Sequence, residues 1–169
     1  RCKSPDYHDY SYTLEKEITL LEKGFKVQYH LENTGKKKIV TNEYNHNFLA
    51  INRALIGSNY LLKFPFQIKP ELFSETVNPE RLVKTDNKEI RFLGNLQKQF
   101  FFSNISGGKF VEANLSSKIG ISETVNYPTN SINVSGCNHV VSPDLFVDIA
   151  INPSSSKTWT RTYHIYELA

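Results

Sequence analysis

The sequence predicts an all-β fold in which antiparallel sheets pack face to face as a sandwich. Three observations carry that prediction. Apolar and polar residues alternate with a period of 2 along most of the chain, the mark of strands with one buried face. No stretch sustains the 3.6-residue period of an amphipathic helix. Turn residues interrupt the alternating runs at short intervals, as hairpin-rich sheets require.

The elements follow in order. Tyr10, Tyr12, Leu14 and Lys16 alternate with Ser11, Thr13 and Glu15 ahead of Ile18-Thr19-Leu20, which reads as one long strand. Leu21-Glu22-Lys23-Gly24 predicts a hairpin loop. Phe25, Val27, Tyr29 and Leu31 then alternate with Lys26, Gln28, His30 and Glu32, and the turn residues Asn33-Thr34-Gly35 end the run. Lys36-Lys37-Lys38 reads as a solvated hairpin tip. Further strands are expected at 39–41, 47–52, 60–64, 89–93, 98–102, 110–115, 118–123, 131–134, 145–151 and 158–166. In the last of these, Trp159, Arg161, Tyr163 and Ile165 share one face. The stretch 70–83, with prolines at Pro70 and Pro79, reads as an irregular excursion.

A chain of 169 residues with 39% hydrophobic content is long enough to bury one core, so residues 1–169 are expected to form a single β-sandwich domain. No window approaches the roughly 20 apolar residues of a membrane-spanning helix. The net charge of +3 comes with one short basic cluster rather than a basic stripe with interleaved aromatics, which argues against nucleic acid as a partner. Cys2 and Cys137 fit no metal-ligand spacing and can form at most one disulfide.

Two clusters could carry chemistry. Thr41-Asn42-Glu43-Tyr44-Asn45-His46-Asn47-Phe48 gathers a carboxylate, a phenol, an imidazole and several amides, flanked by apolar residues. These groups can hydrogen-bond sugar hydroxyls, and an imidazole can move protons near neutral pH. A polar turn whose side chains cap strand ends accounts for the same residues. In the second cluster, Gly136 to Asp144, Ser142-Pro143-Asp144 reads as a turn, and His139 with Asp144 could form an acid–base pair. Nothing spells out a nucleophile elbow or a metal site.

Asn45-His46-Asn47-Phe48-Leu49 resembles the Asn-His-x-aromatic motif of the aldose 1-epimerase (galactose mutarotase) family. Tyr29 to Gly35 is similar to the strand and turn leading to that motif. Ser142 to Ile149 and Trp159 to Tyr163 are similar to the family's closing strands. The resemblance implies a galactose-mutarotase-like antiparallel β-sandwich (supersandwich), of which this chain is the C-terminal portion. It implies a monosaccharide or related carbohydrate as ligand and no cofactor. Unpaired sheet edges would then seek a second copy or a companion N-terminal fragment.

The resemblance also implies residue roles. Mutarotation needs an acid at the ring oxygen and a base at the anomeric hydroxyl, and the motif's histidine, here His46, is the family's acid. The family's base is a glutamate just before a proline. Ser142 stands before Pro143 here, so the base falls to Asp144 or Glu43. Tyr44, Asn45, Asn47, Phe48, His139 and Ser142 are the expected sugar contacts. Two functions stay open: an aldose 1-epimerase-like enzyme, and a carbohydrate-binding protein of the same fold without catalysis. A polysaccharide lyase would use Tyr44, Asn45 and His46, but such enzymes carry a large helical domain that the sequence does not predict.

Overall fold

The longest alternating runs become the longest strands. The computed structural model describes residues 1–105, 110–114, 118–129 and 131–168. In chain order the strands are β1 (Cys2–Lys3), β2 (Tyr12–Leu21), β3 (Gly24–Asn33), β4 (Ile39–Glu43), β5 (Tyr60–Lys63), β6 (Thr76–Val77), β7 (Val83–Asp86) and β8 (Glu89–Phe92). There follow β9 (Phe100–Ile105), β10 (Phe110–Asn114), β11 (Ile119–Val125), β12 (Ile132–Gly136), β13 (Val141–Leu145), β14 (Val147–Ile151) and β15 (Ser156–Glu167). The only helical turn among the described residues is a 3-10 turn at Pro70–Leu72.

One layer is a nine-stranded antiparallel sheet in the order β1-β2-β3-β15-β11-β10-β5-β8-β7. Two smaller sheets, β13-β12-β9-β6 and β14-β4, supply the opposing faces. Each smaller sheet closes its own part of the core. Val27, Tyr29, Leu31, Trp159 and Tyr163 of the long sheet pack on Val147, Ile149 and Ile151 of β14. Tyr60, Leu62, Ile90 and Phe92 pack with Phe100, Phe102, Val134, Val141 and Leu145 of the four-stranded sheet. Tyr29 and Trp159 lie opposite in register and stack with ring centroids 5.1 Å apart. Such a pair is worth about 0.5–1.5 kcal/mol beyond its buried area.

β2 and β3 form the expected hairpin. Leu21 pairs with Gly24, whose φ of 142° suits glycine, and a Cβ there would meet the Tyr163 carbonyl oxygen at 1.9 Å.

Three expectations are corrected. Residues 47–52 form no strand: a single bridge joins Leu49 to Val141, and Asn52 and Arg53 take φ values of 54° and 56°, which end extended pairing. Ser142-Pro143-Asp144 is not a turn but the middle of β13. Its proline is tolerated because β13 is an edge strand, where the missing N–H breaks no ladder. Lys36-Lys37-Lys38 is exposed but is no hairpin tip, because β4 leaves the long sheet to pair with β14. Cys2 and Cys137 are both free thiols. Leu115, the end of one expected strand, lies outside the described residues.

Candidate functional site

β13 is the platform of the site. In a strand, residues two apart point to the same side, so Ser142 and Asp144 emerge together. The Ser142 hydroxyl donates to Asp144 Oδ1 at 2.6 Å. The bridge between Leu49 and Val141 draws residues 44–48 across this strand, and the Asn47 backbone N–H reaches the same Oδ1 at 3.2 Å. Asp144 Oδ2 lies 3.0 Å from His46 Nδ1. A carboxylate can only accept, so Nδ1 carries the shared proton and Nε2 is left for other chemistry. The Asp144 side chain is 3% exposed and that of His46 is 50% exposed, so one partner is buried and the other faces solvent.

His46 stands within a row of rings. Phe48 stacks on it with centroids 5.0 Å apart and planes inclined by 9°. Tyr44 meets it edge-on at 5.0 Å and also leans on Phe146 at 4.6 Å. Tyr44 and Phe48, which both contact the His46 ring, are 42% and 64% exposed.

Beneath this surface lies a buried polar network. Glu123 on β11 sits directly opposite Tyr163 on β15, and Arg161 is two residues away on the same face. Glu123 and Arg161 are both 0% exposed. Arg161 Nη1 donates to Glu123 Oε1 at 3.1 Å, while Nη2 donates to Glu43 Oε2 and to the Leu145 carbonyl, each at 3.0 Å. The guanidinium also lies over the Tyr127 ring, 5.5 Å from its centroid.

Asn47 joins this network to the surface. Its Nδ2 donates to Glu123 Oε2 at 2.9 Å and to the Pro143 carbonyl at 2.6 Å. Its Oδ1 accepts from the Tyr163 hydroxyl at 2.7 Å and from Asn45 Nδ2 at 3.2 Å. Two donors and two acceptors are the full capacity of the amide.

The electrostatics follow from burial. Desolvation pushes the Glu123 carboxyl above its usual range, and the Arg161 charge together with bonds from Arg161, Tyr163 and Asn47 only partly pulls it back. Asp144 is also raised by burial, against the hydrogen bonds from Ser142, Asn47 and His46. Burial opposes the charge of Arg161, but Tyr127, Glu123 and Glu43 more than offset it. Among the described residues, no group of three or more His, Cys, Asp or Glu side chains converges as a metal site would require.

No protein-family model matches the sequence, and no curated protein matches it. Solved structures do. A candidate aldose 1-epimerase from Klebsiella pneumoniae superposes with a TM-score of 0.76 at 11% identity, covering 98% of this chain and 49% of that one. Galactose 1-epimerase from Lactobacillus acidophilus gives 0.64 at 14% identity, covering 99% and 62%. The Slr1438 protein of Synechocystis gives 0.65 at 9% identity, covering 94% and 56%. The fold is that of the galactose-mutarotase-like proteins. This chain spans about half the length of the Klebsiella and Synechocystis structures.

On this mutarotase-like sandwich the residues singled out in the sequence divide into two sets. His46, Asp144, Ser142, Asn47, Asn45, Tyr44 and Phe48 come together around one carboxylate and one imidazole. Glu43 faces inward to Arg161, and His139 is exposed near the start of β13, so Asp144 pairs with His46 rather than with His139. Sequence reasoning missed Glu123, Arg161 and Tyr163 as members of the site. The available signal was an arginine on the inward face of β15 between a tryptophan and a tyrosine, a place a charge occupies only when paired.

Proposed function

We propose that the chain acts as an aldose 1-epimerase-like protein, interconverting the anomers of a monosaccharide through His46 and Asp144. The contact between His46 Nδ1 and Asp144 Oδ2 at 3.0 Å carries the reading, because it pairs an exposed proton carrier with a shielded carboxylate. Protonated His46 delivers a proton to the ring oxygen as the bond from that oxygen to the anomeric carbon breaks. Asp144 takes the proton of the anomeric hydroxyl, which becomes the carbonyl of the open chain. Rotation about the adjoining carbon–carbon bond and closure on the other face return both protons and give the second anomer. Asp144 is favoured over Glu43 as base because Glu43 is tied to Arg161. Burial raises Asp144, and a carboxylate raised in this way is a better base for a hydroxyl. Tyr44 and Phe48 offer exposed rings for the apolar face of a pyranose.

A second reading, sugar binding without catalysis, is favoured by one observation. Asp144 is 3% exposed and already accepts from three donors, which leaves little open surface on its carboxylate for a substrate hydroxyl. Polarimetry of freshly dissolved α-D-glucose and α-D-galactose separates the two. Acceleration over buffer that disappears in His46→Ala supports the enzyme. Sugar binding with no acceleration supports the binding protein.

A further inference from the structure

Asn47 lies in the motif expected to touch the sugar, yet it is 4% exposed and spends its whole hydrogen-bonding capacity inside the protein. Its backbone N–H is its remaining polar link to the site, and it ends on Asp144 Oδ1. We propose that Glu123, Arg161 and Tyr163 are positioning residues that act on Asp144 through Asn47, setting where the carboxylate sits and how strongly it is hydrogen-bonded. The inference rests on the reading of His46 and Asp144 as the working pair.

Each step is a direct hydrogen bond of 3.2 Å or less. Arg161 orients Glu123 from one side, and Glu123 Oε2 fixes the donor end of the Asn47 amide. The Tyr163 phenol has one proton and lies closer to Asn47 Oδ1, at 2.7 Å, than to Glu123 Oε1, at 3.2 Å, so it fixes the acceptor end. An amide gripped at both ends cannot flip or rotate, and its own N–H is held on Asp144. The second bond from Nδ2, to the Pro143 carbonyl, ties the amide to the residue preceding Asp144 in β13. Buried hydrogen-bond networks rigidify what they hold, which fits a site whose tolerance for misplacement is small.

The chain of contacts assigns different duties within one motif. His46 and Phe48 project to solvent, while Asn47 between them points inward as the anchor. Groups that face Asp144 directly are His46, Ser142 and the Asn47 N–H, with Glu123, Arg161 and Tyr163 one bond further away. Weakening the Asn47 link removes a donor to the ionised carboxylate and so favours its protonated form.

Tyr163→Phe tests this with least damage, because the ring that stacks on Phe25 at 4.6 Å is kept and one hydroxyl is lost. Glu123→Gln is the companion variant. The readout is the NMR shift of the Asn47 backbone amide across pH, which follows the titration of Asp144 whether or not the protein turns over sugar. The expected result is a titration midpoint at higher pH in both variants. In the mutarotase assay, kcat falls by about 10-fold with KM little changed, and the acid limb of the pH profile moves up with the midpoint. An unmoved midpoint in folded Tyr163→Phe overturns the proposal. A moved midpoint in a protein that never accelerates mutarotation keeps the positioning role and rejects the enzyme.

Discussion

Replacing Arg161 by methionine tests the buried network most severely. The substitution keeps length and apolar bulk but removes a charge that is 0% exposed and donates three hydrogen bonds, to Glu123, Glu43 and the Leu145 carbonyl. Glu123, also 0% exposed, is left as a buried carboxylate with no cation. Breaking a buried pair in this way costs about 3–5 kcal/mol, a large part of the roughly 5–15 kcal/mol that holds a typical domain together. The Glu43 contact is discounted, because that side chain is 28% exposed and water can compensate it.

The sign of the pH dependence is fixed by the direction of the Glu123 shift. Its folded-state pKa is raised by burial, so its contribution to stability is full below the unfolded value and is lost as pH rises through the folded value. Arg161 is the main influence holding that value down, and its removal raises it further. The deficit of Arg161→Met is therefore small near pH 4 and grows as pH rises above the unfolded carboxylate range. Urea unfolding followed through Trp159, the single tryptophan, measures this at pH 5 and pH 8. With a urea slope of about 2 kcal/mol/M, a loss of about 4 kcal/mol moves the midpoint by about 2 M at the higher pH. Adding Glu123→Leu removes both charges and recovers most of the loss. Equal deficits at the two pH values, or a loss under about 1 kcal/mol, would refute the reasoning.

Other substitutions probe separate parts of the account. Ser142→Ala removes the 2.6 Å donor to Asp144 and raises the carboxyl further, so the acid limb of the mutarotation rate moves to higher pH, read from rates across a buffer series. Phe48→Ala takes away a ring that is 64% exposed, so sugar affinity falls by about 3- to 10-fold in titration calorimetry while Tm is nearly unchanged. Gly24→Ala drives a Cβ into the Tyr163 carbonyl and costs more than about 2 kcal/mol in urea unfolding, through the pairing of β3 with β15.

The sequence was most readable where one face of a strand is buried and the other is wet. β3 buries every second residue from Val27 to Asn33 and β15 does so from Trp159 to Tyr163, whereas in β2 the apolar Ile18 and Leu20 stay 61% and 82% exposed. β13 was hidden because all five of its residues are buried, which erases the alternation, and because Ser-Pro-Asp is also a turn signature. The apolar run around Leu49 and Ile51 suggested a strand, but those residues reach the core from an irregular segment whose backbone pairs with β13 in a single bridge at Leu49.

The site was legible in the same uneven way. His46, Asp144, Tyr44 and Phe48 stood out as residue types suited to proton transfer and sugar stacking. Glu123 did not, because a glutamate at the end of an alternating run reads as a solvent-facing residue until Arg161, 38 positions away, is brought beside it. Asn47 carried a second ambiguity: its neighbours face solvent, and only the fold shows that it turns inward.

The most direct test of the central claim is anomer exchange by NMR, with wild-type protein and Asp144→Asn added to an equilibrated solution of galactose. Exchange cross-peaks between the α and β anomeric protons are expected in the presence of wild type. They are expected to vanish in Asp144→Asn, while the sugar still perturbs the His46 ring resonances. Exchange that persists undiminished in Asp144→Asn would contradict Asp144 as the base.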